Sequence, residues 1–255
     1  MSKKLISSIV FQSAFIIVCL LGIVLFIHRN GAFFDAMSYF TLQSNVLCLI
    51  VMAISLFRTV AGSTSHVRSF HVVKTGTTVA ILVTFIVYHF ILRPVMIQFE
   101  TMSDTPELSS ILVHYVAPLW FFANYLLFEP KGALRESDGI FFYVFPVIYI
   151  SLVFASVFIG NRWGIGDLDY PYPFLDPGVI GWLGVMTAIT VIAFFVNFMA
   201  DLFIVFELTI DGLAKRRLLF RSSGNGQSSI LSIDSISISV LKRKSMLIDA
   251  NESVI

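Results

Sequence analysis

Charge is what this chain has least of. Asp, Glu, Lys and Arg make up 13% of its 255 residues, about half the share usual in a soluble globular domain. That shortage excludes an ordinary water-soluble fold. The formal net charge of +1 says little, because charge position matters more than its sum in such a chain; no nucleic-acid partner is expected. Cysteine is nearly missing as well. Cys19 and Cys48 both fall inside apolar runs and no CxxC pair exists, so a disulfide framework is excluded and both thiols are expected buried and reduced. No metal-ligand set, cofactor motif or internal repeat is present, and neither a metal nor a cofactor is expected.

What is abundant is apolar: 57% of residues are hydrophobic and the mean hydropathy is +0.87. Six runs free of Asp, Glu, Lys and Arg cover 5–27, 39–57, 75–92, 108–128, 140–159 and 178–200. Each meets or approaches the roughly 20 residues needed to cross a hydrocarbon core of about 30 Å. In lipid only helices and closed barrels satisfy the backbone, and runs this continuous are helices. The expected fold is therefore all-α: a polytopic integral membrane protein, a six-helix bundle over residues 1–206, with a cytoplasmic, Ser-rich and loosely ordered tail over 207–255. The first run is longer than a signal-peptide core and no small-x-small cleavage site follows it, so it reads as a retained helix. The KRR cluster at 215–217 reads as a stop with lipid-headgroup contact. The alternating SISISV stretch at 235–240 suggests at most a short edge strand.

Orientation follows from the Lys/Arg bias of the connections. An even number of spans puts both termini on one side. That side holds 14 Lys and Arg residues against 3 opposite, namely Arg29, Arg93 and Arg162. Both termini are thus expected in the cytoplasm, at the cell membrane. The opposite loops, about 28–38, 93–107 and 160–177, are acidic.

Against this apolar background the stretch YFTLQSN at 39–45 is costly, because polar groups in the membrane must be satisfied. Thr41, Ser44, Asn45 and Cys48 recur at i, i+3, i+4 and i+7 and share one helix face, whereas Gln43 points elsewhere. Such residues often only join helices by hydrogen bonds. Depth adds a partner. Counted from the acidic side, Thr41 lies about 5 Å and His114 about 9 Å inside its helix at ~1.5 Å per residue. His89 and the YPYPFLD loop, with Tyr170 and Tyr172, sit at similar height. A hydroxyl beside an imidazole permits nucleophilic catalysis, with Thr41 attacking and neutral His114 accepting its proton. Ser44 and Asn45 are then candidate oxyanion donors. Gln43, His89, Tyr170 and Tyr172 complete the candidate substrate-binding set, the two tyrosines with Pro173 reading either as a cap over the mouth or as an interfacial aromatic belt.

YFTLQSN, HYVAPLWFFANYLLF in helix four and YPYPFLD after helix five, in this order across residues 5–206, resemble the androgen-induced-protein family of six-helix membrane proteins and its bacterial relatives. The family's human members, which include the androgen-dependent TFPI-regulating protein, are threonine hydrolases of fatty-acid esters of hydroxy fatty acids. Their helix-two threonine and helix-four histidine match Thr41 and His114. The resemblance implies a lipid substrate and threonine-dependent ester hydrolysis. The pattern departs at Asn124 and Tyr125, where bacterial relatives often carry Asp-Trp, so helix four lacks a carboxylate at its basic end. Two other classes compete on the residues alone. One is a non-enzymatic protein that binds or transports a ligand at the same polar cluster. The other is a haem protein using His89 and His114 as axial ligands.

Overall fold

The computed structural model describes residues 3–31, 33–62, 67–98, 107–164 and 168–224. SISISV and the rest of the chain from 225 lie outside the described residues. Among those described, all regular structure is helical. Six helices are long and apolar enough to cross a membrane: Lys3–Arg29, Phe40–Val60, Arg68–Ile97, Leu108–Phe128, Glu136–Phe158 and Pro177–Arg216.

We label as α1 Lys3–Arg29, as α2 the short turn Phe33–Met37, and as α3 Phe40–Val60. The third span is α4 (Arg68–Ile86), a π-helical segment over Val87–Leu92, and α5 (Arg93–Gln98). The fourth is α6 (Leu108–Ile111), a second π-helical segment over Leu112–Val116, and α7 (Ala117–Phe128). The fifth opens as a 3-10 helix (Glu136–Tyr143) and continues as α8 (Val144–Phe158). The sixth is α9 (Pro177–Gly224), broken at Gly181, whose φ of 69° no side-chain-bearing residue adopts readily.

Both π segments have the same local cause. Pro94 and Pro118 lack an N–H and crowd the carbonyl four residues earlier, at Phe90 and His114. The helix widens by one residue to relieve this. Arg93 then donates its N–H to the Tyr88 carbonyl, and Ala117 to the Leu112 carbonyl, each five residues back.

Residues 1–210 form one compact unit and Asp211–Ile255 a second. Glu207, beyond the apolar run, is still buried in the first unit. In the second unit, residues 211–224 are helical and Lys215 pairs with Asp211 one turn earlier.

Within the first unit α4 is the central helix, buried almost without break from Thr77 to Thr84. One apolar cluster joins α1, α3 and α7 through Phe15, Cys19, Cys48, Met52 and Phe121. A second joins α4, α8 and α9 through Val79, Val83, Tyr149, Val153 and Phe203. Gly22 lets α1 approach the π segment of the fourth span: a Cβ there would stand 3.0 Å from that of Leu112. Half of the second span's window is buried, against 22% of the fifth's and 11% of the sixth's. The first four spans form the tight body and the last two lie against it with most of their surface facing outward.

Candidate active site

Tyr39 is extended and opens α3, so Thr41 stands on its first turn, where the α3 face meets α4, the fourth span and the loop before α9. The π segment after α6 carries His114. Thr41 Oγ1 lies 3.2 Å from His114 Nε2. The other ring nitrogen, Nδ1, lies 3.0 Å from the Ser110 carbonyl. A carbonyl only accepts, so Nδ1 carries the proton and Nε2 is left as the acceptor for the Thr41 hydroxyl. Both side chains are buried, Thr41 at 4% exposure and His114 at 6%. The Tyr88 ring, from the other π segment, stacks on the imidazole with centroids 3.7 Å apart and planes 12° apart. The imidazole is thereby fixed in tautomer, direction and plane.

Tyr172 descends from the loop onto the same hydroxyl. Its OH lies 3.4 Å from Thr41 Oγ1 and accepts the Thr41 N–H at 3.4 Å. Burial pushes the Tyr172 phenol up to about 12, although its hydrogen bonds to Thr41 pull the other way. The phenol is therefore protonated at neutral pH and can donate. The ring is kept in place by Phe174, stacked at 5.1 Å, and by Tyr39 edge-on at 5.7 Å.

Ser44 and Asn45, the expected oxyanion donors, are engaged by neighbouring groups of the protein. Asn45 Nδ2 donates to the Thr41 carbonyl at 2.7 Å and to the Val113 carbonyl at 3.0 Å. Ser44 Oγ contacts the Thr41 carbonyl at 3.1 Å and Thr84 Oγ1 at 2.8 Å. Their polar atoms are spent on framework. What Asn45 does is positional: one amide group ties the backbone of the Thr41 turn to the residue preceding His114. Cys19 Sγ lies 3.6 Å from the Asn45 backbone carbonyl and 4.0 Å from its side-chain Oδ1.

Three other candidates stand apart from the Thr41–His114 pair. Gln43 donates to the Met37 carbonyl at 2.8 Å and holds α2 to α3. His89 pairs with the Tyr115 hydroxyl at 3.1 Å. Tyr170 packs on Phe154 with centroids 5.0 Å apart. The haem reading finds no matching donor pair, because His114 has both ring nitrogens engaged by protein and His89 bonds Tyr115.

A narrow cavity of about 50 Å³ opens beside Thr41, lined by Thr41, Tyr172, Val83, Val87, Ile150 and Ile192 among others. Thr84, missed at the level of sequence, lines it as well and props Ser44.

A second buried polar cluster, at the opposite, basic end, was not anticipated. Glu207 is fully buried. Its Oε1 accepts the Tyr125 hydroxyl at 2.5 Å and contacts His71 Nε2 at 2.6 Å. Its Oε2 accepts the backbone N–H groups of Gly132, Ala133 and Leu134 at 3.1, 3.2 and 3.2 Å. Glu129 pairs with Lys74, whose ammonium also donates to Ser55 Oγ at 2.8 Å. The Tyr125 hydroxyl is thus held by a carboxylate from the sixth span. The only signal in the sequence was an acid seven residues past the end of the 178–200 apolar run.

Comparison of the chain with known protein families, characterised proteins and solved structures finds no match.

Proposed function

We propose that this protein is an integral-membrane hydrolase of lipid acyl esters, with Thr41 as nucleophile, His114 as general base and both termini in the cytoplasm. The observation that carries the reading is the Thr41 Oγ1–His114 Nε2 contact of 3.2 Å combined with the Nδ1 contact to the Ser110 carbonyl. A hydroxyl becomes a useful nucleophile only when a base takes its proton in the transition state. That base must be held in the right tautomer by a third group, and here the third group is a backbone carbonyl rather than a carboxylate.

In the first half-reaction the Thr41 oxygen attacks the ester carbonyl as its proton passes to His114 Nε2. The oxyanion forms within reach of the Tyr172 hydroxyl, a protonated phenol in a water-poor setting, where one such donor counts for much. The alcohol departs with the proton returned by His114, leaving acyl-threonine. Water, deprotonated in turn by His114, releases the carboxylic acid and restores Thr41. The dyad belongs to the acidic, non-cytoplasmic half of the bundle on the Lys/Arg count, so the ester is taken from the outer leaflet.

The test is a fluorophosphonate probe on the purified protein, with the modified residue read by mass spectrometry. The reading expects the adduct on Thr41 and its loss in His114→Ala. An adduct elsewhere, or labelling unchanged in both Thr41→Ala and His114→Ala, overturns it.

A further inference from the structure

The cavity beside Thr41 is far smaller than the roughly 300–1,000 Å³ that enclose a drug-sized ligand, at about 50 Å³. It can hold only part of a lipid ester. Its walls say where the rest goes. Hydroxyls in the wall are turned into the protein: Tyr149 donates to the Ser38 carbonyl at 3.0 Å and Thr84 bonds Ser44 at 2.8 Å. Beyond these residues, Thr41 and Tyr172 the lining is apolar, with Val83, Val87, Ile150 and Ile192 among it. A polar head end therefore gives way to an apolar slot between α4, α8 and α9. Ile192 lies about three turns past the Gly181 break, so the slot descends along the helices toward the middle of the bundle.

The two helices that form the far wall are the two least buried spans. Among the described residues, α9 is hydrogen-bonded to the other spans at Ala193, by Tyr143 at 3.2 Å, and at Glu207. Both anchors lie on the basic side of Ile192. On the other side the helix is interrupted at Gly181, and Leu183 and Met186 face outward at 84% and 56% exposure. Among the described residues, the segment between Gly181 and Ala193 meets α8 through the stacked Trp182 and Phe154 rings, 6.2 Å apart, and through no hydrogen bond.

We infer that the seam between α8 and the Gly181–Ala193 part of α9 is a lateral portal. Through it the acyl chain of the substrate lies in the slot past Ile150 and Ile192 and extends into the bilayer, parallel to the lipid tails. The substrate class is then an ester whose acyl part is a single unbranched chain presented from lipid, not one delivered through the aqueous loops. The chemistry of this inference rests on Thr41 as nucleophile; the seating of the chain does not.

The experiment uses the full chain in phosphatidylcholine nanodiscs. Hydrolysis of a palmitoyl and a butanoyl ester is compared in the unaltered protein, Ile192→Trp and Ile192→Ala. A palmitoyl ester bearing a diazirine near the chain end is photolysed in parallel. Because one methylene in an apolar pocket changes discrimination by about tenfold or more, Ile192→Trp should lower the palmitoyl-to-butanoyl ratio of kcat/KM by at least about tenfold. Ile192→Ala, which adds no bulk, should admit methyl-branched chains that the unaltered protein refuses. Diazirine adducts should fall on α8 and α9 residues beside the slot, Ile150 and Ile192 first. A palmitoyl-to-butanoyl ratio the same in all three proteins, or adducts concentrated on α1 and α7, overturns the portal. If neither ester is cleaved by the unaltered protein, the hydrolase reading fails, and the adduct positions alone then decide the portal for or against.

Discussion

The two buried polar clusters of this bundle solve opposite problems. The one around Thr41 is neutral: hydroxyls, an amide, an imidazole and carbonyls, with one hydroxyl left facing a cavity. The one around Glu207 is ionic and closed, with one carboxylate receiving five hydrogen bonds and a second paired with a buried ammonium. Burying charge costs several kcal/mol per ion unless its partners are complete. A complete set leaves no lone pair for substrate. The neutral cluster costs less to bury and can leave an atom free to react. The comparison teaches that, within one bundle, the ionic cluster holds the sixth helix in place and the neutral one is open to chemistry.

Four substitutions would break or sharpen that contrast. Thr41→Ala should have the largest effect on activity, about a thousandfold or more in kcat, while thermal unfolding in detergent stays within a few degrees. A large fall in Tm would make Thr41 a structural residue instead. Glu207→Ala should do the reverse. Removing one partner from a buried ion network costs about 3–5 kcal/mol, a loss in Tm on the order of 10 °C, whereas fluorophosphonate labelling measured well below that Tm should persist. Labelling lost together with Tm would mean the two clusters are not separable.

Tyr172→Phe removes one donor from the reacting end. We expect kcat to fall about a hundredfold with little change in Tm, and a fall in Tm without loss of kcat would reassign the tyrosine to packing. The smallest effect concerns pH. Burial alone would raise the Glu129 carboxyl, but the neighbouring His71 imidazole and the Lys74 ammonium outweigh it and hold it down at about 2, from an ordinary value of 4.5. A depressed carboxyl contributes stability that is complete above about pH 4.5 and is lost as the pH falls through 2. The stability gap between the unaltered protein and Glu129→Gln should therefore narrow across that window. A gap independent of pH would show that Glu129 is not held as an anion.

How much of this could be read from the chain differs by residue. The Thr41 face was legible because helical periodicity fixes which side chains lie together; similar depth in two helices that run the same way made His114 a candidate partner without showing that the helices touch. The separation of Gln43 was legible for the same reason. What Asn45 and Ser44 do was not. Periodicity places an amide on a face but does not say whether the nearest acceptor is a backbone carbonyl. Tyr172 could be set at the right height, yet only the path of the loop brings its hydroxyl to Thr41 and sends Tyr170 to Phe154. His71, Lys74 and Glu207 resembled ordinary charged flanks, because residues at the ends of apolar runs usually face water or headgroups.

By itself the sequence determined that the chain is helical, that six segments are long and apolar enough to cross a membrane, and that Thr41 shares a face with Asn45. Those follow from composition and from a 3.6-residue period, which are local. Only the tertiary structure decided that His114 presents Nε2 to Thr41, that the Ser110 carbonyl one turn earlier holds Nδ1, and that a carboxylate from the sixth span completes the Tyr125 cluster. Each of these depends on which groups from distant parts of the chain meet in a medium without water, where every polar atom must find its partner inside the protein.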